Sequence, residues 1–134
     1  MANALYGKGK EKLLTAAINL STDTIKVALM SSAYTPNLST DEFLSDISAS
    51  QLNSSQTLGS KTITLGVFDA ADITYTAVAA AATAKAVVIY KDTGLASTSA
   101  LLAYIDTITG FPLATNGGDI TIAWDSGANK IFAL

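Results

Sequence analysis

Eleven side chains of this 134-residue chain are acidic, enough to supply a catalytic pair. Two carboxylates facing each other across a cleft can cleave a glycosidic bond. Here Asp69, Asp72, Asp92, Asp119 and Asp125 all fall in predicted turns. Aspartate belongs there because its side chain accepts hydrogen bonds from nearby backbone amides, so turn chemistry accounts for these residues and catalysis is not expected of them. Asp125-Ser126-Gly127-Ala128-Asn129 places oxygen ligands around a glycine as a calcium loop does. It lacks the downstream bidentate glutamate, and a hairpin turn explains the same residues. Gly7-Lys8-Gly9 has neither a preceding strand nor the Lys-Ser/Thr pair of a nucleotide loop and reads as a flexible, weakly basic arm. Trp124, Phe132, Phe68, Tyr90 and Tyr104 fall in predicted strands, where core packing is the common use of aromatics. Trp124 alternates with Ile120 and Ile122 and is expected to share their buried face.

The chain has no cysteine, histidine or arginine, so every positive side chain is a lysine. Thiolate and imidazole metal sites, cysteine nucleophiles, Ser-His-Asp triads and guanidinium clamps on phosphate are thereby excluded. No cofactor or metal is expected, and the chain is not expected to be an enzyme. A net charge of −3 with scattered lysines argues against a nucleic-acid surface. Ala77–Tyr90 is the longest apolar run, but Lys85 interrupts it and it falls short of the ~20 apolar residues of a membrane helix. The apolar stretch after Lys8, Lys10 and Lys12 is too short for a convincing signal peptide. A soluble protein is expected, with neither nucleic acid nor membrane as partner.

The elements that would position these residues follow from periodicity. Leu13, Leu14, Ala17 and Ile18 lie on one face of a helix predicted over 10–19, preceded by a flexible arm at 1–9. Ile25, Val27 and Leu29 alternate in a strand over 24–30. Residues 31–59 are polar, with Pro36 and many Ser, Thr and Asn, and read as a long connection with a short helix near Ser39–Leu44. A connection of that length is usually functional or mobile, which makes it a candidate partner-facing arm. Strands are then predicted over 61–68, 73–78, 84–91, 101–108, 120–125 and 130–134, with turns between them. The 84–91 run is apolar throughout and predicts a strand buried on both faces. The fold class expected is mainly β, an antiparallel β-sandwich or jelly-roll-like single domain over 1–134 with one short N-terminal helix.

Several segments resemble one family. They are Ala4-Leu5-Tyr6-Gly7-Lys8-Gly9-Lys10-Glu11-Lys12-Leu13-Leu14 with Asp23-Thr24-Ile25-Lys26-Val27-Ala28-Leu29, then Thr35-Pro36 with Glu42-Phe43-Leu44-Ser45-Asp46-Ile47. Val88-Ile89-Tyr90-Lys91-Asp92-Thr93-Gly94 and the closing Asn116–Ile122 and Asn129–Leu134 complete the set. Together they span nearly the whole chain and are similar to small proteins encoded beside the major capsid protein in tailed bacteriophages. The resemblance implies a head decoration, or cement, protein: a small β-sandwich homo-oligomer on the outer surface of the phage head that binds the major capsid protein and holds neighbouring capsomers together. Departures from the family are lysine where arginine is common in the N-terminal helix and an unusually alanine-rich 77–86. On this reading Tyr6, Lys8, Lys10, Lys12, Tyr34 and Asn37 are the candidate capsid contacts, carried by the N-terminal arm and the long connection. A carbohydrate- or receptor-binding domain on the virion surface is the alternative.

Overall fold

The structure is a computed structural model, and it describes residues 3–134. The apolar run at 84–91 forms the middle of the main sheet as strand β7 (Thr83–Lys91), whose residues 86–90 are all buried. On one side it pairs antiparallel with β2 (Ile25–Ser31), which in turn pairs with β3 (Gln51–Thr57). On the other side lies β8 (Leu101–Ile105), edged by the two-residue β1 (Ala4–Leu5). Ala84 pairs with both Ser31 and Leu113, so β9 (Leu113–Ala114) extends the β8 side of the sheet.

Two smaller antiparallel sheets complete the fold: β6 (Ile73–Tyr75) with β10 (Ile120–Ile122), and β4 (Thr62–Thr64), β5 (Val67–Asp69) and β11 (Phe132–Ala133) in the order β11-β5-β4. Strand alternation in the main sheet divides its apolar residues between two cores. Ile25, Val27, Leu29, Val87, Ile89 and Leu102 pack with Phe68, Tyr75, Ile122 and Ile131 of the small sheets. Ala28, Met30, Ala86, Val88, Tyr90 and Tyr104 pack on the opposite face with Tyr6, Tyr34 and Ile47. The mainly β, antiparallel, sandwich-like architecture expected from periodicity is what the chain adopts.

The second core corrects the reading of residues 31–59. This segment is not an arm. Tyr34, Pro36 and Ile47 are buried as the cover of the main sheet, with α2 (Leu44–Ile47) beginning five residues later than the expected Ser39 start. Its last part is the strand β3. That strand is hard to read because its register slips: Val27 pairs Gln56 but Leu29 pairs Leu52, so Asn53–Ser55 bulge opposite a single residue of β2. Asn53 turns at φ +59 and its side-chain amide donates to the carbonyl of Thr76.

Nor are the N-terminal residues from Asn3 onward a free arm. Ala4 and Leu5 pair with Tyr104 and Ala103, Tyr6 is fully buried, and helix α1 runs over Gly7–Leu14 instead of 10–19. Residues 1–2 of the expected arm lie outside the described residues. The helix ends in a Schellman turn, with the Ala17 amide donating to Lys12 O and the Ala16 amide to Leu13 O. Ala16 occupies the left-handed position at φ +61, where glycine is the usual occupant. No glycine marked the end, so the apolar pattern ran on through Ile18. Leu14, expected on the buried face, is exposed. Replacing Ala16 by glycine relieves a left-handed alanine and is expected to stabilise the fold by up to about 1 kcal/mol, read by chemical denaturation.

The run 61–68 is two strands with a hairpin between them, made by Leu65 (φ +51) and Gly66 (φ +79). The closing residues do not form a hairpin with β10 as expected, because β10 pairs with β6 whereas β11 pairs with β5.

Candidate functional site

The six residues expected to contact a capsid separate by burial. Tyr6 is fully buried and Tyr34 is 8% exposed, so neither presents a surface. They form a buried relay instead. Tyr34 donates to Asp41 Oδ2 at 2.7 Å, which leaves its oxygen to accept from the Tyr6 hydroxyl, also at 2.7 Å. Asp41 Oδ2 further accepts the Asn37 amide at 2.9 Å. Burial pushes both phenols far above the ordinary tyrosine value, and the neighbouring Asp41 adds to the shift in each. The relay pins the 34–41 turn to the start of the chain. Both tyrosines lie in segments with no regular apolar pattern, so their burial has no local signature.

The lysines lie on α1, but much of their charge is already answered. Lys8 pairs with Glu11 at 3.3 Å, and Lys12 bonds Glu42 with its ammonium 5.1 Å from the centre of the Phe43 ring. Counting Lys8, Lys10 and Lys12 against Glu11 and Glu42 leaves one net positive charge on this face, and Lys10 is its exposed cation. Asn37 is exposed, yet its side-chain oxygen accepts the amides of Ser39 and Thr40 and so holds its own turn. Glu42→Gln is expected to change stability by less than about 1 kcal/mol, since the pair is partly open to solvent, as thermal denaturation would show.

Lys10 stands on the rim of an open groove of about 990 Å³ at the β1 edge of the main sheet. Asn3, Trp124, Asp125 and Lys130 also line it. Trp124 is half-buried and packs against the first core, while its indole N–H donates to Ala71 O at 3.0 Å and its backbone amide to Asp72 Oδ1 at 3.0 Å. It is thus a core-edge residue with one side toward the groove, less enclosed than its alternation with the buried Ile120 and Ile122 predicts. The strand ends at Ile122, so the alternation does not extend to it.

Of the predicted turn aspartates, Asp92 and Asp125 accept amides of their own turns, whereas Asp72 and Asp119 tie theirs to distant segments. Asp72 caps Trp124, Asp119 Oδ1 accepts the Ala77 amide at 2.9 Å, Asp92 Oδ1 that of Gly94 at 3.2 Å, and Asp125 Oδ1 that of Gly127 at 3.0 Å. Asp69 differs, as the last residue of β5. Among the described residues no group of three or more acidic side chains gathers as a metal site would.

Asp23 and Asp46 are held below the usual carboxylate range. For Asp23 the main cause is the Asn19 amide, with Lys91 at 3.2 Å adding to it; for Asp46 it is the amides of Phe43 and Glu42. A carboxylate with a depressed folded pKa contributes stability that is complete above its unfolded value and is lost as pH falls through the folded value. The melting temperature is therefore expected to fall as pH drops below about 4, with a shallower fall in an Asp23→Asn/Asp46→Asn variant. Melts recorded between neutral and strongly acidic pH check this.

What sequence reasoning missed is a set of exposed apolar side chains, with Leu65 97%, Leu14 88% and Ile63 49% exposed. The available signal was Leu65-Gly66 inside a β-branched run, a turn dipeptide carrying an apolar residue. Compared with known proteins, the chain matches no family model, and no curated protein is significantly similar to it in sequence.

Proposed function

We propose that this chain is a structural protein of a tailed-phage virion, a decoration or cement protein that binds the outer surface of the head as a homo-oligomer. It touches the major capsid protein and stabilises contacts between capsomers, without nucleic acid or membrane. The observation that carries the reading is the resemblance in sequence, which extends from Ala4 to Leu134 through segments with no chemical motif in them. Those segments build the fold: Ala4–Leu5 edges the main sheet, Gly9 packs on it, and Val88-Ile89-Tyr90 forms its centre.

On this reading the chain acts by binding and not as an enzyme. Attachment would draw on Lys10 and on polar loop groups, so its dependence on salt should be shallow, with one net charge on that face.

The test is whether the protein co-purifies with intact virions in stoichiometric amounts and adds back to undecorated heads. Its absence from purified virions overturns the reading. The groove beside Trp124 favours one second reading, a carbohydrate- or receptor-binding domain on the virion surface. A glycan array with wild type and Trp124→Ala separates it: retained glycans whose signal is lost in the variant support the second reading, whereas head binding without glycan binding supports the first.

A further inference from the structure

Asparagine is a chemically labile side chain. The backbone nitrogen of the following residue can attack its side-chain carbonyl carbon, and the five-membered ring that forms opens to an acid. The chain has six asparagines, followed by Ala4, Leu20, Leu38, Ser54, Gly117 and Lys130. In an unfolded chain Asn116 reacts first, because Gly117 has no Cβ to restrict the backbone or crowd the ring. The fold changes that order.

Asn116 and Gly117 are exposed, but the attacking nitrogen is occupied. The Gly117 amide donates to Val78 O at 2.8 Å, and the Val78 amide returns a bond to Gly118 O at 3.0 Å. Val78 is buried, and Asp119 Oδ1 holds the neighbouring Ala77 amide at 2.9 Å. The side-chain oxygen of Asn116 is turned to the Gly118 amide at 2.9 Å, one residue past the nitrogen that would have to attack. Reaction at Asn116 requires this bridge to open first.

Asn53 is the opposite case. Among the described residues it is the asparagine whose side-chain oxygen accepts the amide directly after it, from Ser54 at 2.9 Å. Its Nδ2 donates to Thr76 O at 2.8 Å, so both ends of the side-chain amide are fixed and its carbon is held against the Ser54 nitrogen. Both residues are exposed, and Ser54 stands in the bulge with no pairing partner on β2. Gln51 Nε2 donates to Asn53 O at 3.3 Å. That oxygen takes up negative charge when the Ser54 nitrogen loses its proton, so the donor favours the reactive form.

We infer that Asn53 is a self-modification site of the folded protein, where the Ser54 nitrogen displaces ammonia from the side chain ahead of any reaction at Asn116. Hydroxide removes the Ser54 N–H proton, the electron pair on nitrogen forms a bond to Asn53 Cγ, and negative charge moves to Oδ1. Collapse of that adduct breaks the Cγ–Nδ2 bond, and Nδ2 leaves as ammonia with a proton from water. Water then opens the ring at one of its two carbonyls, so residue 53 becomes aspartate or isoaspartate. Overall one water is consumed and one ammonia released, with nothing oxidised or reduced. The product adds a negative charge to the outer strand of the main sheet and replaces the donor to Thr76 O by a carboxylate oxygen that repels it. The tie between β3 and the end of β6 is lost, whatever the protein binds.

Peptide mapping by mass spectrometry, which separates asparagine, aspartate and isoaspartate at each position, tests this on the unaltered chain. The protein is held in mildly alkaline buffer, once folded and once unfolded in urea. In urea Asn116 should react first. In the folded protein Asn53 should lead, with Asn116 slowed at least about tenfold by the two bonds of its bridge and Asn53 keeping most of its rate. Water carrying heavy oxygen should leave one heavy oxygen atom in the new carboxylate at 53. Asn116 reacting first in the folded protein, or a rate at 53 that falls on folding as far as the rate at 116, overturns the inference. Asn53→Asp makes the product directly and should melt below wild type. A variant that melts with wild type overturns the loss of the β3 tie.

Discussion

Tyr75→Ala is expected to destabilise the fold by about 3–5 kcal/mol, the usual effect of removing a buried aromatic. That is a large part of the roughly 5–15 kcal/mol that holds a domain together. Tyr75 is fully buried on β6, inside the core between the main sheet and the small sheets, and its hydroxyl donates to Val27 O at 2.6 Å. Val27 stands where the β2–β3 register slips, so the tyrosine serves a carbonyl at an irregular point of the ladder. Tyr75→Phe keeps the ring and removes that one hydrogen bond, so it should destabilise by about 0.5–1.5 kcal/mol. The ordering Ala well below Phe, and Phe below wild type, is read from denaturant midpoints. A Phe variant as stable as wild type would show that the bond contributes nothing. Burial also raises the Tyr75 phenol far above its ordinary 10.0. A group whose folded pKa is raised contributes stability that is present below the unfolded value and lost as pH rises through the folded one. Unfolding in alkali should therefore begin above about pH 10 and be less steep in Tyr75→Phe.

The parts of this fold legible in the sequence are those where one physical rule acts alone. Ala84–Lys91 is apolar at nearly every position because both faces of β7 are covered, and that pattern has one reading once the run is too short for a membrane helix. Ile25, Val27 and Leu29 alternate because the larger of the two cores takes one face of β2. The 31–59 segment was opaque for the opposite reason. Its buried residues, Tyr34, Pro36, Ile47 and Leu58, are isolated among polar ones: Tyr34 and Ile47 each fill one position of the cover, Leu58 packs in the other core, and no periodic element joins them. Strand β3 hides its alternation in a bulge whose three residues are Asn-Ser-Ser, a composition that reads as loop. Leu65 breaks the rule that turns are polar, and its exposure follows from the hairpin that it forms with Gly66.

The candidate site shows the same limits. Burial separates Tyr6 from Lys8, two residues apart, because the backbone passes from an edge strand into a helix between them. Charge count misleads in the same way: three lysines in five residues suggest a basic arm, but Glu42 comes from thirty residues away to cancel one of them. Only contacts of long sequence separation settle which groups face solvent, and these have no local signature. Asp92 and Asp125 are legible because an Asx turn is closed by an amide two residues on, whereas Asp72 and Asp119 bond amides far along the chain, at Trp124 and Ala77, with no local signature.

Gly9 makes the second large effect, and here two known magnitudes compete. Inside a helix, alanine is favoured over glycine by about 1 kcal/mol, so Gly9→Ala would stabilise α1 on its own. In the fold a Cβ at this position would lie 2.6 Å from Leu101 O, 3.0 Å from Leu102 Cα and 3.2 Å from Leu102 O. All three are backbone atoms of β8, a strand held on both sides by β7 and β1, so no side-chain rotation can clear the space. Overpacking of this kind typically destabilises by about 1–3 kcal/mol, and with no flexible neighbour the effect should lie at the upper end and exceed the helix gain. Gly9→Val adds branches to the same clash and is expected to undock α1, carrying away the buried Tyr6 and its relay to Tyr34. Gly7→Ala is the matched control: its Cβ meets only Leu38 O, at 3.3 Å, and its helix gain is similar. Denaturant midpoints should rank Gly7→Ala near wild type, Gly9→Ala clearly below, and Gly9→Val lowest. Deletion of residues 2–9 should follow Gly9→Val, because it removes β1, Tyr6 and the first turn of α1 together. If Gly9→Ala proves as stable as Gly7→Ala, α1 does not rest on β8 as closely as described, and the N-terminal segment would again be free to act as an arm.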